Sequence, residues 1–167
     1  MPLLTNDLWR QWFGESIDSA TTIHSCRLVA YVFMPEHVHL LIQPTMHDFR
    51  IDLFLKSLKA PFSSRIKRIL GSQNRPLLDR LTIRERPGVH RFRFWQEGGG
   101  YDRNIQTSAA ITAAIDDIHE NPVRRGLCDR SIEWRWSSAR HFSEDGQGGI
   151  KAEIPPTVHG VTWDFLG

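Results

Sequence analysis

Residues 31–44, YVFMPEHVHLLIQP, decide the reading of this chain. They set His37 and His39 two positions apart inside an otherwise apolar run. In a β-strand, residues two apart share a face. Both imidazoles would then reach toward one spot, with Val38 and Leu40 on the opposite face. Two imidazoles on one rigid strand make a pair of metal ligands. Two separately hydrogen-bonded histidines are the plainer alternative. Upstream, residues 25–34 are nearly all apolar, as in a strand buried on both faces. Pro35-Glu36 turns the chain and residues 37–43 return as the second arm of a hairpin.

Working outward, Thr5 or Asn6 can cap a first helix to about Ala20. Leu8, Trp12, Ile17 and Ala20 give it an imperfect apolar stripe, widened by Trp9 and Phe13. After a loop at 44–47, Asp48 can cap a long helix over 49–70. Ile51, Phe54, Leu55, Leu58, Phe62, Ile66 and Ile69 fall close to helical spacing, and Pro61 is expected to kink or divide it. A loop-rich linker follows. Residues 91–96 alternate as a strand with a basic and an aromatic face, before three glycines at 98–100. Thr107 or Ser108 can cap a helix to about His119, with Ile111, Ala114, Ile115 and Ile118 inward. Pro122 is expected to end it. Beyond Phe142 the chain is Gly-rich and then carries Pro155-Pro156. This divides it into a domain over 1–142 and a flexible or draped extension over 143–167.

The 167 residues fit one domain with a real core. There is no apolar run long enough for a membrane span and no secretory leader pattern. Two cysteines, Cys26 and Cys128, form no disulfide framework, so a reducing cytoplasm is expected. The net charge of +2 hides an asymmetry. Residues 50–93 hold twelve Lys or Arg against three Asp or Glu, a net +9, which leaves −7 for the rest. That imbalance is the footprint of a polyanion binder. The candidate phosphate contacts are Lys56, Lys59, Arg65, Lys67, Arg68 and Arg93, with Arg103, Arg124 and Arg125 beyond them. Trp134 and Trp136 are expected to pack in the core in preference to stacking on bases.

Residues 34–42, MPEHVHLLI, resemble the histidine motif of the single-tyrosine HUH transposases, in particular the REP-associated tyrosine transposases. FWQEGGGYDRNI (94–105), IHENPVRRGL (118–127) and WRWSSARHF (134–142) resemble that family's Trp-Gln segment, Asn-Pro-Val turn and closing Trp-Ser-Ser signature, in the same order. The resemblance spans residues 3–142. It implies an α+β, ferredoxin-like βαββαβ sandwich. The family's first strand precedes the first helix and is not seen here, so the sheet lacks it, or the tail or a second chain fills its place. DNA, single-stranded or as a hairpin, is the implied partner of a monomer or homodimer. The implied activity is metal-dependent DNA strand cleavage and rejoining in transposition, with Mg²⁺ or Mn²⁺ held by His37 and His39. Matched on Asn-Pro-Val, the third ligand is Asn121, and the nucleophile stands four residues earlier. There the sequence departs from the family: Asp117 replaces the tyrosine, and on the same helix face as Asn121 it could serve as an additional oxygen ligand in a mixed N/O site with His37, His39 and Asn121. Three readings follow. Cleavage is lost and DNA binding kept, as in a decayed or domesticated copy. Or Tyr101 substitutes as nucleophile. Or the metal site hydrolyses DNA with water.

Overall fold

The computed structural model describes residues 1–96, 101–143 and 160–166, and of residues 101–103 and 160–166 the backbone alone. The hairpin forms as its pattern predicts. β1 (Cys26–Phe33) pairs antiparallel with β2 (His37–Pro44), and Val32 stands opposite His39. A bulge between Leu28 and Ala30 shifts the register, so Val29 and Ala30 join the same side of the sheet.

Helix α1 (Asp7–Ile23) starts at Asn6, whose side chain accepts from the Leu8 and Trp9 amides. Its buried face is Arg10, Phe13, Gly14, Ile17 and Ala20. Leu8, read as part of the stripe, is exposed. The charge of Arg10 misled the pattern, because aromatic rings later in the chain cover it. Helix α2 (Ile51–Gln73) passes through Pro61 without dividing. Pro61 is exposed, so water can take the carbonyl freed one turn earlier. Phe54, Leu58, Phe62, Ile66 and Leu70 bury a continuous seam on both sides of it. The supposed linker is structured. It holds α3 (Arg75–Arg80) and a separate two-stranded ribbon, β3 (Thr82–Arg86) with β4 (Val89–Phe92).

After β5 (Tyr101–Ile105), helix α4 (Ser108–Arg124) is capped by Thr107, which accepts from the Ala110 amide at 3.2 Å. Pro122 does not end it. Gly126, at φ 65°, is the residue that stops it, since the left-handed region favours glycine. Asn121 therefore stays on a continuous helix with Asp117. Beyond α4, two short 3-10 turns follow: Ser131–Glu133 lies against α4, and Ser138–Phe142 lies against β1, where Ser137 bridges Val32.

The expected extension ends in a strand, β6 (Gly160–Leu166). The main sheet has the order β1-β2-β6-β5, and every neighbouring pair is antiparallel. In a βαββαβ sandwich the place between the hairpin and the last strand belongs to the first strand. Of the three expectations for that gap, the structure shows the tail in it. The chain is α+β, with helices on both sheet faces. α1 and α2 pack with Tyr31, Phe33, Val38, Leu40 and Ile42. α4 packs with Val29, Ala30, Val32, Met34, Leu41 and Ile105.

Candidate metal and nucleic-acid site

The face assignment places the histidines. Val38, Leu40 and Ile42 belong to the α1–α2 side and Leu41 to the α4 side. Alternation puts His37 and His39 on the α4 side with Leu41. Val32, opposite His39, is on that side too, and directly opposed residues share a face. The two rings lie 4.7 Å apart between centroids at an interplanar angle of 87°. His37 is buried and His39 half-buried. The sequence expectation that both imidazoles share one face is met.

α4 reaches the same corner. Arg125, just past the helix's last turn, forms an ion pair with Glu36, the residue before His37. Asn121 lies one turn back from Arg125, whose amide bonds to its carbonyl at 3.1 Å. The Asn121 Nδ2 donates to the Asp117 carbonyl at 2.9 Å, which leaves its Oδ1 lone pairs for another partner. Asp117 turns away from the sheet. Its side chain is 72% exposed and its Oδ1 accepts from Arg124 Nη1 at 2.8 Å. Arg124 Nη2 also donates to the Asp117 carbonyl at 2.7 Å. His119 leaves by the other flank of α4, where it is buried and its Nε2 meets Ser138 Oγ at 2.8 Å. Burial there lowers its pKa to about 4, against a smaller upward pull from Asp116.

The donor set fits a divalent cation in kind: two imidazole nitrogens from one strand and an amide oxygen from the helix over them. Among the described residues, no group of three His, Cys, Asp or Glu side chains lies close enough to hold a metal. Asn121 would thus supply the third ligand. Backbone register sets Asp164 of β6 opposite His39, and Tyr101 of β5 opposite Asp164. Two strand spacings separate the backbones of His39 and Tyr101, about 10 Å. The side chains of Tyr101 and Arg103 lie outside the described residues.

The cations divide. Lys56, Lys67 and Arg68 are exposed and carry no ion pair among the described residues. Arg65 is committed to Glu15 at 2.8 Å and sits over the Trp12 ring at 4.0 Å. Lys59 lies 5.9 Å from the Trp95 ring centroid, and burial lowers its pKa. Arg93 is half-buried, 3.8 Å from Glu85. Arg124 and Arg125 are paired with Asp117 and Glu36. Sequence reasoning missed the ribbon, which exposes Arg84, Arg86, His90 and Arg91. Pro87-Gly88 was the available signal, with Gly88 at φ 77°.

No family model matches the chain. Among curated proteins, a provisionally named REP-associated tyrosine transposase of Haemophilus influenzae is 29% identical over 137 residues, covering 82% of this chain and 68% of that protein. A solved structure of a REP-associated tyrosine transposase bound to a REP hairpin superposes with a TM-score of 0.57 at 19% identity. That likeness covers 92% of this chain and 79% of the other. The chain resembles the REP-associated tyrosine transposases in sequence and in fold. The resemblance carried by the histidine, Trp-Gln, Asn-Pro-Val and Trp-Ser-Ser segments is thereby borne out, and so is the α+β architecture. No helix among the described residues is long and apolar enough to cross a membrane.

Proposed function

We propose that this protein is a DNA-binding transposase-like protein of the REP-associated type, which grips a hairpin or single strand and has lost tyrosine-based cleavage. The observation that carries this reading is the His37–His39 pair beneath α4, with Asp117 in the place of the nucleophile. His37, His39 and Asn121 would hold Mg²⁺ or Mn²⁺. Such an ion, when bound, offsets the charge that grows on a phosphodiester under attack. The chain's own contributions are position and charge. The hairpin fixes both imidazoles and the Glu36–Arg125 pair anchors α4 above them. Lys56, Lys67 and Arg68 are free to meet phosphates, and the ribbon adds Arg84, Arg86 and Arg91.

Asp117 is an acceptor engaged by Arg124 and faces solvent. It is not placed to attack a phosphate, and a carboxylate forms no stable tyrosyl-type link. The register from His39 through Asp164 to Tyr101 favours a second reading, in which Tyr101 attacks in its stead.

The test uses hairpin DNA with a labelled single-stranded flank and Mn²⁺. Binding with neither adduct nor cleavage supports the proposal. A covalent adduct that disappears in Tyr101→Phe supports the second reading. Free 5′-phosphate product without an adduct indicates hydrolysis by water. No binding to the hairpin overturns the proposal.

A further inference from the structure

The charge asymmetry of the sequence is also an asymmetry in space. At the base of the ribbon, Phe92 packs with the α1–α2 side of the sheet, whereas α4 covers the opposite face. Residues 84–88, around the ribbon's turn, are all exposed. Arg91 is paired with Glu85 at 3.2 Å. Arg84 and Arg86 carry no ion pair among the described residues.

The outward face of α4 has the opposite sign. Ala109, Thr112 and Ala113 are exposed and small, and Asp116 and Glu120 continue that face, one turn apart and exposed. Like charges at this spacing repel, and neither carboxylate has an ion pair among the described residues. Both line a cavity of about 290 Å³ between α4 and residues 131–143, together with Ile132, Ala139 and Phe142. His119 lines it too but brings no cation, because burial lowers its pKa to about 4. The negative field extends along this side of the molecule. After burial, the charges of Glu133, Asp129 and Glu120 push the Cys128 thiol up.

Two unpaired carboxylates beside an aromatic ring suit a guanidinium, which takes charge-assisted hydrogen bonds at its edge and a ring at its face. A phosphate backbone would be repelled from the same place. We infer that the α4 cavity receives the ribbon arginines, Arg84 and Arg86, of a second copy of this chain. The ribbon is thin and convex where the cavity is concave, and the two carry opposite charge. They lie on opposite sides of the sheet, so one copy's ribbon meets the next copy's α4. Such a head-to-tail contact leaves a free face at each end, and it extends into open chains unless the rotation closes a ring. The inference goes beyond the DNA-binding reading and does not depend on it.

The test is sedimentation of the full chain. At about 0.01 M salt, where charges are felt over about 30 Å, the mass should exceed that of the monomer and rise with protein concentration. At about 1 M salt, where that distance is about 3 Å, the monomer should return. Asp116→Asn with Glu120→Gln should keep the parent melting temperature and stay monomeric at low salt. Arg84→Ala with Arg86→Ala should stay monomeric as well. Mixed in equal amounts, these two double variants should form a pair of twice the monomer mass and grow no further, because each keeps one competent face. Lys67→Ala with Arg68→Ala removes the same charge from α2 and should associate like the parent. A mixture that stays monomeric, an α2 variant that fails equally, or association that survives about 1 M salt overturns the inference. A parent that is monomeric at low salt, yet binds an arginine-rich peptide through Asp116 and Glu120, overturns the second copy as occupant.

Discussion

Asp117→Tyr should restore covalent chemistry at almost no cost in stability. The side chain is 72% exposed, so a phenol has open space to occupy. The substitution removes one ion pair, Asp117 Oδ1 to Arg124 Nη1 at 2.8 Å, between groups 72% and 50% exposed. Exposed pairs of this kind contribute about 0.2–1 kcal/mol. The second Arg124 hydrogen bond goes to the Asp117 backbone carbonyl and survives the change. Asp and Tyr have similar helix propensities. A loss below about 1 kcal/mol lowers the melting temperature by no more than about 2–4 °C in a chain of this size. The variant is incubated with labelled hairpin DNA and Mn²⁺ and run on a denaturing gel. A band retarded by the mass of the protein is expected, absent from the parent and absent again when His39→Ala is added. A variant that melts normally and binds the hairpin, yet gives no retarded band, would refute the placement of Asp117 in the nucleophile position.

Replacing His37 or His39 by Ala should weaken Mn²⁺ binding, followed by calorimetry, by at least the roughly 10–100-fold seen when a mere supporting residue of a metal site is removed. Lys56→Ala, Lys67→Ala and Arg68→Ala should each reduce the slope of log affinity against log salt by about 0.7–0.9 for every phosphate no longer neutralised, with little change in sequence preference. His119 is held neutral by burial, with its pKa lowered from 6.5 to about 4. Its contribution to stability is therefore full above pH 6.5 and is lost as pH falls toward about 4, where the unfolded chain takes the proton and the folded one does not. In His119→Gln the melting temperature should fall less over that interval than in the parent, and an identical fall in both would discount the buried imidazole.

What the sequence revealed depended on how local the signal was. The hairpin and its histidine pair were legible because an apolar run, the Pro35-Glu36 turn and the two-residue spacing of His37 and His39 are all local signals within residues 25–43. The helices were legible from their periods, but their ends were not. Both internal prolines were expected to break a helix. Each is accommodated, Pro61 by solvent exposure and Pro122 by a helix that stops only at Gly126. Arg10 could not be recognised as buried, because the rings that cover it come about 125 positions later. The ribbon was hidden by its charge, since Arg84, Arg86 and Arg91 mask a short alternation around Pro87-Gly88. The ion pair that turns Asp117 away from the sheet was equally beyond reach. Arg124, seven residues on, had other partners available to it until the helix was known to continue past Pro122.

The position of β6 constrains how the molecule can be made. Its neighbours β2 and β5 both leave the ribosome well before it does, so for that interval the nascent sheet has a slot with two unsatisfied edges. Any other extended peptide could enter that slot first. A change that displaces β6 would thus act on the centre of the sheet, although β6 is the last of its strands in chain order.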